Sequence, residues 1–334
     1  MKKSVIWIMM VLGIMCLLAA CGEKSQESVT TDLEKMISDM DGYKANAEMI
    51  MHTGQDEQVY HIEIWHKKAD FYRVSLNNDH DDEGQVILKN EDGVYVLTPS
   101  LNKSFKFQTE WPDNSSQPYL FESLVNDIVQ DQDAEFEATE EQYIYRTKTN
   151  YQSNRNLPFQ EIYFDKKTLT PLLVKILDVD KKSVVEVNFA SFDMNPTFGE
   201  DDFKITEEDL ASSEDTATSA SVASDFPIVY PLYTAGSELV EQKEIKLDHG
   251  QRVIMTFSGE KNFTLVQETA DVVESFAPQE VKGDIVNLGH SLGVLTPYGI
   301  EWSLNGVDYY LASEELTREE LIEVAQSVQG REVK

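Results

Sequence analysis

The stretch QVYHIEIWHKKADFYRVSL, residues 58–76, decides the fold class. In its first run Tyr60, Ile62 and Ile64 share one parity and Val59 and Trp65 the other, and Phe71–Leu76 repeats the aromatic and β-branched alternation. A period of two belongs to a strand, whose side chains point by turns to the two faces of a sheet. Outward from this stretch the pattern recurs at Tyr43–Met51, Gln85–Lys89, Val94–Thr98 and Lys103–Gln108, then at Glu135–Ala138, Tyr143–Lys148, Phe159–Phe164, Leu172–Asp178 and Val184–Phe192. Turn-forming clusters punctuate it: His52-Thr53-Gly54, Asn77-Asn78-Asp79, Glu91-Asp92-Gly93 and Pro99. About eleven strands with meander-like connections predict one large antiparallel sheet, curled into an open half-barrel.

Two helical patterns accompany the strands. Val29, Leu33, Met36, Ile37 and Met40 fall at helical spacing before Asp41-Gly42, and Tyr119–Val129 carries Leu120, Phe121, Leu124, Val125 and Ile128 on one face. Helices on the concave side of such a sheet make the class α+β. From Glu200 to Asp225 the chain reads EDDFKITEEDLASSEDTATSASVASD, too poor in large apolar residues after Leu210 to form a core. The expected organisation is therefore a half-barrel domain over 28–203, a flexible acidic linker over 204–225, and a second small α+β domain over 226–334. That last part offers strands at Glu244–Leu247, Gln251–Ser258, Asn262–Glu268, Gly293–Thr296, Gly299–Leu304 and Val307–Ala312, with a helix at Glu319–Val328 capped by Thr317.

The first residues have the plan of a secretory signal: Lys2 and Lys3, an apolar run from Val5 to Leu18, then small residues. The run is about 14 residues, short of the roughly 20 a spanning helix needs. Leu18-Ala19-Ala20-Cys21-Gly22 resembles the lipobox of bacterial lipoproteins. The resemblance implies a signal peptide over 1–20, a diacylglyceryl group on Cys21, a tether over 21–27, and a protein lipid-anchored at the extracytoplasmic face of the cell membrane. Cys16, the other cysteine, leaves with the leader, so the expected mature chain has neither a disulfide nor a reactive thiol.

With 28 basic and 60 acidic residues the formal charge is −32, and without Lys2 and Lys3 it is 26 against 60, or −34. Such a surface cannot neutralise phosphates, which argues against a nucleic-acid partner. Anionic headgroups repel it as well, leaving membrane attachment to the lipid.

Three motifs suggest chemistry and fail on context. Gly289-His290-Ser291-Leu292-Gly293 matches the lipase G-x-S-x-G, but no histidine follows Ser291 and the βαβ pattern is missing. Asp79, Asp81, Glu83, Gly84 and Asn90 graze a calcium loop whose terminal Glu is absent and whose flanks read as strands. His61 and His66, five apart on one strand, face opposite ways and cannot share a metal. No catalytic residue, metal or cofactor is expected. What remains is apolar surface on the strands: Tyr60, Ile62, Ile64, Trp65, Tyr95, Leu97, Phe105 and Phe107 are the candidate lining of a hydrophobic groove. The same residues suit an ordinary core under the helices. Arg73 is a candidate headgroup contact or a plain surface charge.

Residues 161–172, EIYFDKKTLTPL, followed by Val174-Lys175, Val184–Phe189 and Asn195-Pro196, resemble the closing strands of LolA-like carriers, in which a D-x-x-T-x-x-P turn joins two strands. Lipobox and half-barrel together resemble the YdcC-type sporulation lipoproteins, and RseB shares the same open barrel. Gly299-Ile300-Glu301-Trp302 and Gly306–Leu311 with the closing helix resemble the DUF4367 type of small domain. These resemblances imply an envelope protein without enzymatic activity that binds a lipid or acylated peptide in its groove, helix 119–129 or its flanks serving as a movable cover. The alternatives are an RseB-like regulator or assembly factor that binds a protein segment, and a lipid hydrolase using Ser291.

Overall fold

The computed structural model describes residues 23–328, apart from 53–56, 79–83, 110, 114, 152, 154, 207–208, 210–227, 249, 271–277, 289–290 and 305 and the side chain of residue 100. The leader, Cys21, most of the calcium-like loop and most of the acidic linker lie outside these residues.

The alternating runs are strands, as expected. They are β1 (Gly42–Met51), β2 (Gln58–Lys67), β3 (Phe71–Asn78), β4 (Gln85–Asn90), β5 (Gly93–Thr98), β6 (Lys103–Phe107), β7 (Glu135–Ala138), β8 (Gln142–Lys148), β9 (Phe159–Asp165), β10 (Pro171–Leu177) and β11 (Ser183–Asp193). Each hairpin pairs with its neighbour, and β1 joins the two series by pairing with both β2 and β11, Ala45 opposite Ile64 and Phe192. The order is β6-β5-β4-β3-β2-β1-β11-β10-β9-β8-β7.

Helix α1 (Gln26–Asp39) is capped by Ser25, whose hydroxyl accepts from the Ser28 amide, and α2 (Phe121–Gln130) follows the sixth strand. Flat, eleven strands at roughly 4.8 Å spacing would be about 50 Å wide. A single core nevertheless joins Val94 and Phe107 near one edge to Tyr145 and Phe164 near the other, with Leu33 of α1 and Phe121 and Leu124 of α2 between them. Only a sheet curled around its helices brings these side chains together. The class is α+β, with a curled open sheet and helices on its concave side.

The convex face has its own cluster. Val86, Leu88, Tyr95 and Leu97 lie under Phe203, with Trp65, Phe71, Phe198 and Ile205 around them. A strap over 198–206, with Asp209, thus packs on the outside of β2–β5, held by the paired Arg73 guanidinium and Asp209 carboxylate and by Asn90 Nδ2 donating to the Phe203 carbonyl at 3.1 Å. The acidic stretch therefore begins as packed chain, against the expected boundary at 203. Asp209 reads as one more linker acid because its partner lies 136 positions earlier.

The C-terminal half contains β12 (Ser237–Leu247), β13 (Gly250–Gly259), β14 (Phe263–Thr269), β15 (Gln279–Val281), β16 (Asp284–Asn287), β17 (Leu292–Thr296), β18 (Gly299–Leu304), β19 (Val307–Ala312) and α3 (Arg318–Gln326). Seven of these strands form a second antiparallel sheet, β12-β13-β14-β19-β18-β17-β16. Its core packs Leu321, Ile322 and Val324 of α3 against the sheet that carries the stacked pair Trp302–Tyr309, and α3 has a capping box of Thr317 and Glu320. The eighth strand, β15, leaves it and pairs parallel with β6, Glu280 opposite Lys106, as the twelfth strand of the first sheet. Strands β15 and β16 have three and four residues, and β12 is exposed from Glu238 to Glu244, so none of them carries an alternation to read.

Candidate binding site

The eight apolar candidates divide between the two faces. Tyr60, Ile62, Ile64 and Phe107 are buried on the concave side, with Phe105 partly buried beside them. Trp65, Tyr95 and Leu97 belong to the convex cluster under the strap. The register gives the reason: Val94 opposes Phe107 and Val96 opposes Phe105, and directly opposed residues share a face, so Tyr95 and Leu97 face away from both phenylalanines. No single groove is lined by all eight. Arg73 is consumed by Asp209 instead of facing a ligand.

Part of the concave face is covered by α2, which buries Phe121, Leu124, Val125 and Ile128. The Phe121 ring meets Tyr43, Phe164 and Phe192 edge-on. Polar contacts hold both ends of this helix. Near its start Glu122 accepts from the Tyr43 hydroxyl at 3.1 Å and lies 2.8 Å from His66 Nδ1, while Tyr43 Oη accepts the Phe121 amide. Near its end the buried Asp127 accepts from Ser116 Oγ and Gln160 Nε2, both at 2.7 Å. Burial pushes the Asp127 carboxyl up to about 6, against the two hydrogen bonds that favour its charged form. A helix fastened in this way is a fixed wall, contrary to the expectation of a movable cover.

Another part of the concave face is covered by the C-terminal half. Ile285 and Leu292, from the β16–β17 hairpin, are buried in the N-terminal core, with Val281 and Val294 packed beside them. Polar bridges surround this plug. Lys103 on β6 pairs with Asp308 on β19 at 2.5 Å, and Asn287 donates to Gln117 at 3.2 Å. Ser153 donates to Glu323 of α3 at 2.8 Å, and Arg155 lies 3.4 Å from the same carboxylate, which is 2% exposed.

Two small spaces remain beneath the plug: about 50 Å³ among Tyr60, Tyr119, Tyr151, Ser291 and Leu292, and about 90 Å³ beside Phe105, Trp302 and Tyr309. On the outer side of β15 an open cleft of about 1600 Å³ runs between the halves, bordered by Lys106, Val281, Lys282, Phe263, Tyr298 and Arg318. Sequence reading did not anticipate it, because its walls come from residues 106–108 and 256–321. Exposed Tyr298, at 84%, was its one local signal.

Ser291 stands at the turn into β17, where its carbonyl accepts the Leu288 amide at 3.0 Å. The turn joins two antiparallel strands and is no strand-to-helix elbow. His66 is buried on the concave face and His61 exposed on the other, as their spacing requires. Among the described residues no three His, Cys, Asp or Glu side chains gather as metal ligands.

Residues 1–203, which include the curled sheet and α2, match the family described as sporulation protein YdcC-like. The chain belongs to this family. Over 334 residues it is 46% identical to sporulation protein YdcC of Bacillus subtilis (strain 168), covering 100% of this chain and 99% of that relative. The family of the sequence-level resemblance is thus the one found, and the similarity extends through the C-terminal half. Among solved structures, the MucA/MucB complex of Pseudomonas aeruginosa aligns at 11% identity and a TM-score of 0.36, over 91% of this chain and 99% of that one. A LolA superfamily protein from Nitrosomonas europaea aligns at 11% identity and a TM-score of 0.31, over 55% and 99%.

Proposed function

We propose that this member of the YdcC-like family is a non-enzymatic envelope lipoprotein, anchored through Cys21 at the extracytoplasmic face of the cell membrane, whose task is to bind an extended protein segment between its two halves. One observation carries the reading: the concave groove is occupied by the chain's own Ile285 and Leu292, and the two spaces beside them measure about 50 and 90 Å³. Small-molecule sites measure roughly 300–1,000 Å³, so an acyl cargo needs the C-terminal half to leave first. The outer cleft is large enough, and β15 offers it a sheet edge to which an extended peptide adds as a further strand. Main-chain hydrogen bonds supply affinity in that mode, and Tyr298 and Arg318 flank the cleft for side-chain selection.

Native mass spectrometry with lipid extraction tests the choice on the full chain in detergent, alongside a photo-crosslinking residue at Tyr298 in sporulating cells. The expected result is no lipid beyond the covalent anchor and a discrete protein adduct at position 298. A stoichiometric, non-covalently held lipid overturns the reading in favour of a carrier.

A further inference from the structure

Glu23 begins the described chain beside two sheet turns. Lys166, in the β9–β10 turn, lies 3.2 Å from the Glu23 carboxylate and donates to the Thr139 carbonyl of the β7–β8 turn at 2.5 Å. One residue, Gly22, separates Glu23 from Cys21, so the two Cα atoms are at most about 7 Å apart whatever path the backbone takes. A chain held by its residue 21 is therefore held at this corner of the sheet.

From the same corner β8, β9 and β10 run in one direction away. Strands β9 and β10 have seven residues each, or roughly 20 Å at about 3.3 Å per residue. Their far ends are the 149–158 connection, where Ser153 and Arg155 hold Glu323 of α3, and the turn carrying Val179. The anchor point and the α3 contact thus occupy opposite ends of one strand pair.

We infer that the β7–β8 and β9–β10 turns form the surface that rests on the lipid, and that strands β8–β10 act as a strut holding α3 on the side away from the bilayer. The inference rests on the anchoring part of the proposed function. It implies that a partner gripping the α3 side of the cleft approaches from the aqueous side and is not drawn from the anchoring leaflet.

Lys167→Cys and Val179→Cys test it, made one at a time in the full chain, both at exposed turn positions. With Cys16 removed and Cys21 acylated, each introduced thiol is the reactive one. The probe is a bulky, membrane-impermeant polyethylene-glycol maleimide added to protoplasts. The expected result is labelling of Lys167→Cys several-fold slower than of Val179→Cys, the difference vanishing in detergent. Equal rates on intact membranes overturn the orientation while the anchor stands. Recovery of the chain in the soluble fraction overturns the anchor, and the orientation with it.

Discussion

Beside α1, the concave face of the first sheet is covered by two unlike materials. Over β1, β9 and β11 the cover is α2, a ten-residue helix whose apolar face meets the strands directly and whose ends are pinned by Glu122 and Asp127. Over β3–β6 the cover comes from residues 281–309, which contribute Ile285 and Leu292 to the core and otherwise rely on polar bridges such as Lys103–Asp308. Among the described residues the only strand pairing between the halves is β15 with β6, three residues long and parallel, in a geometry slightly weaker per residue than the antiparallel one. The helical cover is therefore expected to open only with the fold as a whole, and the remote cover to yield before it.

Four measurements test that contrast. Leu124→Ala, at a fully buried site on α2, is expected to cost about 2–5 kcal/mol in urea unfolding. A loss below about 1 kcal/mol would mean that the helix is not the rigid cover described.

Asp127 has the next largest effect. Its folded-state value of about 6 lies above the ordinary 3.8, so between these pH values the native protein keeps a proton that the unfolded chain releases. Stability from this group is fully present below about pH 4 and falls as pH rises through 6, by an amount on the order of 2–3 kcal/mol. Both hydrogen bonds reach the same oxygen, Oδ2, which the amide oxygen of Asp127→Asn can replace. The variant should be more stable than the parent at pH 7 and lose that advantage by pH 4. A parallel pair of stability-pH curves would show that the carboxylate is not buried as described.

Leu292→Ala, at 9% exposure in the remote cover, is expected to cost about 2 kcal/mol, at the low end for a buried leucine, and to raise binding of an environment-sensitive apolar dye. A cost equal to that of Leu124→Ala would erase the distinction between the two covers. Lys103→Met leaves the Asp308 carboxylate without its cation and should cost about 1–2 kcal/mol. Its clearer signature is faster amide exchange in β6 and β15, with α2 unchanged. Exchange that rises equally in α2 would mean that the two covers open as one unit.

Reading from residues alone reached β1–β11 of the first sheet and helices α1–α3, because most of them carry their own periodicity over six or more positions or a cap such as Thr317. It missed β15, β16 and the first half of β12, which are short or exposed on both sides. The candidate site was half legible. Alternation separated Tyr95 and Leu97 from Val94 and Val96, but which set faced the helices depended on the register with β6.

The chain by itself thus determined the class of the fold, the helices on its concave side and the family, since all of these are written in neighbouring residues. Tertiary structure alone decided that Arg73 is spent on Asp209, that the convex face lies under a strap, and that the concave groove is stopped by Ile285 and Leu292. The physical reason is that periodicity and capping are local properties of a chain. The partner of a buried charge, or of an exposed apolar face, can lie more than a hundred residues away, and folding alone brings the two into contact.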